Sequence, residues 1–513
     1  MDLRFIPSSI TGLDRTIAVA ALSLLTAPAL PAQQPDLSAL DTYIADAVVK
    51  FDQPGLAVSI VKDGQLVWSK GYGRRDLAQP EPVTPNTVFY CASISKAFTA
   101  AAIGLLVDEG KLDWDDPVRK HLPEFNTPDD HVTNHMTVTD LLCHRSGWDT
   151  FDGDLLWYGT HYDQREILRR HAQEPLTHEF RTAFGYSNLM YIAAAQVIER
   201  VSGMSWDRFI TERIFAPLGM TRSRVGTADL DALGDVALPH VRKGQDPKAP
   251  QKSMPYQRLQ GADGACGVMS TVVDLAKWDA MWAAEGMVNG KPFLSADTFR
   301  KLTANHLPMG GRRDGAALGW FLEEHNGNTV ITHSGGMPGF ILNHAVVPDK
   351  DLAVIALGNG ESYSVFAVTN KILDLYLGDG TTDPVATMLP RLEQRARREA
   401  ERRTDRIAAR IPKTKPSVPV NACTGTYVDK IYGEARITEN MGALTLSLLP
   451  APELFTGTLA HWHHDTWLWM HQDPFLEPDY ITFHFDTDHR ITHFTIDLHS
   501  PDFHFHKLEF RRE

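Results

Sequence analysis

The chain has 513 residues, with 50 Lys and Arg against 64 Asp and Glu, a formal net charge of −14, and 43% hydrophobic content. That balance argues against nucleic acid or an acidic membrane surface as a partner, and the length allows more than one domain around a sizeable core. Its 4 cysteines, Cys91, Cys143, Cys266 and Cys423, have neither disulfide nor metal-ligand spacing. Cys91 and Cys266 read as small buried hydrophobes.

In chain order, Ile17 to Leu25 is a short apolar run preceded by Arg15 and followed by Ala27-Pro-Ala29-Leu-Pro-Ala32. It resembles a secretory signal, cleaved after Ala32 or alternatively Ala29, so residues 1–32 are read as a signal peptide of a periplasmic or secreted protein. No later segment has the ~20 apolar residues of a membrane span. The Leu56 to Val61 run, Lys62-Asp-Gly64 and Gln65 to Trp68 predict a β-hairpin with an Asp-Gly turn. Between Ala97 and Trp282 the pattern is mostly helical. Thr137 with Asp140 and Thr271 with Asp274 mark helix starts, and Ser146-Gly147 marks a stop. Strands are predicted near Val330, over Ile341 to Val347 and over Leu352 to Leu357, with His325-Asn-Gly327 as a turn and Ser364 to Leu377 as a closing helix. Arg391 to Arg410 interleaves Arg with Glu and predicts a solvated surface helix, broken by Pro412, Pro416 and Pro419. Beyond it, Leu444 to Leu448, Trp467 to Trp469 and Ile481 to Phe485 alternate as strands of a small antiparallel barrel. His461, His463, His464, and His504 with His506 on one strand face, read as surface histidines rather than a zinc site.

The chemistry concentrates in three short motifs. Ser93-Ile-Ser-Lys96 opens an apolar helix, which puts a hydroxyl and an amine one turn apart on one face. Chance supplies roughly one or two S-x-x-K matches in a chain this long. Ser59-Ile-Val-Lys62 is one such match, but on a strand residues three apart face opposite ways. Tyr186-Ser-Asn188 stands at the mouth of the apolar helix from Leu189, and His333-Ser-Gly335-Gly336 follows the strand at Val330. Serine becomes a nucleophile when a neighbouring base takes its proton, and a neutral lysine or a phenolate can do so. Ser93 and Asn188 each have an ordinary alternative as helix N-caps, and His333 as a strand-end residue.

The ordered trio S-x-x-K, Y-x-N, H-x-G resembles the penicillin-recognising serine hydrolases, in particular the class C β-lactamase-related branch with its esterases, D-amino-acid peptidases and DD-carboxypeptidases. Leu141-Leu-Cys-His144-Arg-Ser-Gly147 and Gly264-Ala-Cys-Gly267-Val-Met-Ser-Thr271 are similar to supporting motifs of that family, with Cys266 in place of a usual glycine. The likeness covers about residues 37 to 377. It implies an α/β bilobed fold, an antiparallel sheet flanked by helices plus a helical lobe, with Ser93 between the lobes. Residues 37–377 are then the catalytic domain, 378–419 a charged helical linker, and 420–513 a barrel, whose Thr424-Gly-Thr-Tyr427 start resembles a lipocalin-like appendage.

The resemblance implies that Ser93 forms an acyl-enzyme, that Lys96 and Tyr186 share the proton traffic, and that Asn188 and His333 contact substrate. Gly335 and Gly336 line the cleft, with the Gly336 N–H joining that of Ser93 in an oxyanion hole. Tyr186 is assigned to protonating the leaving group and activating the deacylating water; which group deprotonates Ser93 is a coupled question that sequence leaves open. No cofactor and no metal are implied. His333 departs from the K-T-G of β-lactamases, where lysine offers a fixed charge to the substrate carboxylate. The leading expectation is therefore a hydrolase of small esters or amides, including D-amino-acid peptides. The alternatives are a DD-carboxypeptidase or β-lactamase, and a non-catalytic binding protein on a hydrolase fold. The partner expected is a small-molecule or peptide substrate, with no nucleic acid and no membrane span; oligomeric state is open.

Overall fold

The computed structural model describes residues 35–228, 230–242, 249–257, 261–498 and 500–513. The expected signal segment lies outside the described residues.

The predicted hairpin forms β1 (Gly55–Lys62) and β2 (Gln65–Gly73) around Asp63 and Gly64, whose positive φ values of 53° and 69° are those a tight two-residue turn requires. Six later segments complete an eight-stranded sheet: β3 (Leu307–Pro308), β4 (Arg313–Ala316), β5 (Phe321–His325), β6 (Asn328–Met337), β7 (Phe340–Val347) and β8 (Leu352–Gly358). The order is β3-β4-β5-β6-β7-β8-β1-β2, antiparallel throughout. Gly55 to Val61 are all buried because both faces are covered, and this is why the strand reads as a continuous apolar run. Leu56, Val58 and Ile60 face the terminal helices α1 (Leu37–Lys50) and α5 (Ser364–Leu377). On the other face Ala57 and Val61 join the inner core, and Ser59 Oγ donates to the Val272 carbonyl at 3.1 Å. Val272 opens α4 (Val272–Ala283), which lies on the sheet with α2 (Ser95–Asp108) and α3 (Asn188–Ser202) in the helical lobe beyond.

The expected charged helix forms as α6 (Pro384–Ala408). Most of its surface is exposed, but Arg403 pairs with Glu477, and Arg406 reaches Asp479 at 2.8 Å and Asp497 at 2.6 Å. Opposite charges on the barrel rim hold these guanidinium groups against the barrel while leaving them partly in solvent. The barrel itself is a closed eight-stranded meander from Gly425–Asp429 to Glu509–Arg512, with Tyr427 opposite Arg512 at the seam. Leu444, Leu446 and Leu448 turn inward at every second position, as do Trp467 with Trp469 and Ile481 with Phe483. His504 and His506 are not on one strand. Ser500 Oγ accepts from the N–H groups of Asp502 and Phe503, so the chain turns there, and the last strand begins only at Glu509.

The inner core is anchored where Phe98 of α2 stacks on Trp278 of α4, ring centroids 3.9 Å apart and 13° from parallel. Trp278→Ala is expected to cost about 3–5 kcal/mol in denaturant unfolding, whereas Met441→Ala, at a fully exposed site, should stay within about 0.5 kcal/mol.

Candidate active site

Between the short strand Phe89–Tyr90 and α2, the chain turns through Ala92, which has φ +46° without being glycine, and a single 3-10 turn over Ala92–Ile94. A left-handed alanine is strained, and such strain persists where the surroundings over-determine it. The result is a half-buried Ser93 just before the helix rather than at its N-cap, which is Ile94. Lys96, on the first turn of α2, is fully buried. Its Nζ donates to Ser93 Oγ at 3.1 Å, to Asn188 Oδ1 at 2.6 Å and to the Ala265 carbonyl at 3.0 Å. Burial lowers its pKa to about 8, against the smaller opposing influence of Cys266 and Asp154.

The supporting motif at Gly264 holds α2 in place: Thr99 Oγ1 donates to the Gly264 carbonyl at 2.6 Å, and Ser95 Oγ accepts from Val268 N–H at 2.9 Å. Tyr186 and Asn188 arrive from the start of α3, which is capped by Ser187, not Asn188; the Ser187 side chain accepts from Met190 N–H. Lys96 Nζ lies 4.8 Å from the Tyr186 ring centroid, and Ser93 is close enough to the Tyr186 phenol to favour its charged form. Burial raises the Tyr186 phenol well above its ordinary value, which keeps it protonated at neutral pH.

Both ends of the Asn188 amide are engaged. Its oxygen accepts from Lys96, and its nitrogen donates to Asp154 Oδ2 at 2.7 Å, which leaves one N–H for a substrate. Asp154 is buried, and burial lifts its pKa well above the usual carboxylate range. His144 comes closer to the chemistry than its helix-end position suggested. It stacks on Tyr186 with centroids 4.3 Å apart, and its Nδ1 accepts from Ser187 N–H at 3.2 Å.

His333, on β6, is buried with its ring 6.1 Å from that of Tyr186. Its Nδ1 donates to the Ser334 carbonyl at 2.6 Å, while its Nε2 is buried without a partner. Burial, with Lys96 and Arg313 nearby, holds it neutral. A Cβ on Gly335 would sit 2.6 Å from the Cys91 carbonyl oxygen and 3.3 Å from the Ala92 Cβ, so glycine is what lets β6 pack on the Ser93 turn. A Cβ on Gly336 would meet nothing within 4 Å, on the open side of the strand. The geometry thus brings Ser93, Lys96, Tyr186, Asn188, His333 and Gly335 together, with Gly336 one residue on.

Three neighbours were not foreseen. Ala92 carries no mark of its conformation in the sequence, and Asp154 stands among Asp149, Asp152 and other polar residues that carry no motif. Arg313, on β4, lies with its guanidinium carbon 3.5 Å above the Phe321 ring and close enough to bias the charge states of Tyr186 and His333. Its nearest carboxylate contact is Glu323, at 3.8 Å. Among the described residues no group of three or more His, Cys, Asp or Glu side chains is placed to hold a metal ion, and no helix is long and apolar enough to cross a membrane.

Residues 40–378 match the family model described as Beta-lactamase, and residues 409–512 match a domain of unknown function, DUF3471. The unguisins hydrolase ungD' of Aspergillus campestris is 30% identical over 404 residues, which cover 75% of this chain and 74% of that protein. Two solved structures share the fold. The octameric penicillin-binding protein homologue from Pyrococcus abyssi has a TM-score of 0.62 at 22% identity, over 93% of this chain and 99% of that one. D-amino acid amidase from Ochrobactrum anthropi has a TM-score of 0.57 at 22% identity, over 66% of this chain and 98% of that one. With a family match spanning most of its length, the chain belongs to the beta-lactamase family of serine hydrolases.

Proposed function

We propose that the protein cleaves small esters or amides, D-amino-acid amides and peptides among them, through an acyl-enzyme on Ser93. The observation that carries this reading is the buried Lys96 amine 3.1 Å from the Ser93 hydroxyl. With a pKa near 8, a useful share of that amine is neutral at physiological pH. Lys96 takes the Ser93 proton as Oγ bonds to the substrate carbonyl carbon. Tyr186, held protonated by burial, gives its proton to the departing amine or alkoxide and regains one from the Lys96 ammonium. The carbonyl oxygen, negative in the tetrahedral intermediate, is placed against the Ser93 and Gly336 N–H groups. Water then attacks the acyl group by the reverse proton path, with the neutral Tyr186–Lys96 pair taking its proton, and returns Ser93. This assignment differs from the sequence expectation in giving Lys96, rather than leaving open, the first deprotonation. The expected N-terminal signal adds the proposal that the enzyme works outside the cytoplasm.

A second reading rests on Arg313. Neutral His333 cannot supply the fixed charge that K-T-G lysines offer, but a guanidinium held on Phe321 beside the site can. That favours substrates with a carboxylate near the scissile bond, as in wall peptides and β-lactams.

Ser93→Ala should lower kcat on p-nitrophenyl acetate by about 10⁴-fold or more without changing the unfolding midpoint. Intact-protein mass spectrometry during turnover should show the acyl adduct on the Ser93 peptide; activity retained in Ser93→Ala sinks the assignment. The kcat/KM profile should rise with pH through about 8, because Lys96 must be neutral to act. Below that point the loss is about tenfold per pH unit, so a rate flat from pH 6 to 9 argues against the lysine base. Arg313→Leu should raise KM about 10–100-fold for carboxylate-bearing peptides or penicillins while leaving neutral esters within about threefold. Equal effects on both classes remove the second reading.

A further inference from the structure

Among the stretches of the catalytic domain that meet the barrel, Arg170 with the Ile431 carbonyl being another, one also serves the active site. This is the segment from Asp149 to Tyr162. Asp152 is buried there, and its Oδ1 accepts from His504 Nδ1 at 2.9 Å and from Lys507 Nζ, both on the barrel. Its other oxygen accepts from Asp149 N–H at 3.0 Å, which closes the loop on itself. Tyr158 donates to Asp473 at 2.9 Å and lies against Phe503, centroids 3.9 Å apart. Tyr162 donates to the Tyr432 carbonyl at 2.8 Å, and His161 N–H donates to the Pro450 carbonyl at 3.0 Å.

The same stretch turns toward the chemistry. Phe151 N–H donates to the Tyr186 carbonyl at 2.8 Å, and the Phe151 ring stands edge-on to Tyr186 at 5.3 Å. Two residues from Asp152, across Gly153, Asp154 takes the Asn188 amide at 2.7 Å and the Trp157 indole N–H at 3.0 Å. Asn188 cannot flip while Asp154 accepts from its nitrogen, so its oxygen stays on Lys96. Gly153 has φ +79°, and a Cβ there would come 2.6 Å from His171 Nδ1, so the link between the two aspartates has little room to move.

We infer that the C-terminal barrel is a positioning domain for acylation: His504 and Lys507 clamp Asp152, and the clamped loop fixes Asp154 on Asn188 and Phe151 on Tyr186, and so holds Lys96 and Tyr186 against Ser93. Asp152, Asp154, His504 and Lys507 are positioning residues in this scheme, none of them touching substrate. The inference rests on the acyl-enzyme reading above.

The test uses the full chain carrying His504→Gln with Lys507→Met, then Asp152→Asn, then all three changes together. A small misplacement of catalytic groups costs about 10²-fold, so a loosened clamp should lower kcat on p-nitrophenyl acetate about tenfold or more, with KM within about twofold. Labelling of Ser93 by a fluorophosphonate should slow in parallel. Amide hydrogen exchange should quicken over residues 149–158 and 186–190 while the barrel strands keep their protection, which separates a loosened loop from an unfolded barrel. The triple variant should be no slower than the slower of the other two, since both act through one contact. Faster exchange in the loop with kcat and labelling unchanged overturns the inference and leaves the nucleophile in place, as do losses that multiply. A wild-type chain that the fluorophosphonate does not label at Ser93 removes the acyl-enzyme reading instead.

Discussion

The site depends on the removal of one amine from water. An ammonium is strongly hydrated, and a buried one is tolerated only with acceptors to replace that hydration. Lys96 has three: a hydroxyl, an amide oxygen and a backbone carbonyl, from three separate parts of the chain. None of these is a carboxylate in direct contact. A salt-bridged lysine would be held as a cation and could not accept a proton near neutral pH. Neutral acceptors satisfy the protonated form without fixing it, and the pKa settles near 8. Asp154 is kept one residue removed, with the Asn188 amide between it and the amine.

That arrangement explains how the local structure is distributed. Ser93 and Lys96 are set one turn apart by the 3-10 turn over Ala92–Ile94 running into the first turn of α2. The Ala265 carbonyl must be brought in by the Gly264 to Val268 segment, which is why Thr99 and Ser95 tie α2 to it. Asn188 needs α3 to begin at the right residue, and Ser187 as its cap fixes that start. Glycine at 335 lets β6 approach the turn before α2. Each device is a close-packing or capping feature, and together they over-determine the strained Ala92.

This also separates what could be read from the sequence from what could not. The hairpin at Asp63-Gly64, the strands β7 and β8, the closing helix and the barrel alternation are carried by local patterns, and they emerge in the structure nearly residue for residue. The short strands β3 and β4 and the turn at His504 were not legible, since edge pairing and a serine-capped turn leave no periodicity. Ser93, Lys96, Tyr186 and His333 were legible because spacing and order carry them. Asp154 and Arg313 were not, because their meaning lies in partners far along the chain: Asn188 for the first, the Phe321 face and the Tyr186 environment for the second. A side chain that acts through another leaves no spacing to find.

The two sets of ionic contacts to the barrel differ in kind. Arg406 is itself exposed; its pair with exposed Asp497 contributes little, since solvent screens the charges and side-chain entropy offsets the gain, while its other partner, Asp479, is buried but lies far from the catalytic loop in sequence. The Asp152 side chain has no exposed surface, so losing Lys507 or the His504 hydrogen bond leaves a less satisfied carboxylate that water cannot reach. Removing one partner of a buried pair is therefore costlier than removing one of an exposed pair. The backbone at this buried pair runs from Phe151 to Asp154, the segment that contacts Tyr186 and Asn188. Attachment through Asp152 puts the barrel in contact with the same short segment that reaches the catalytic side chains.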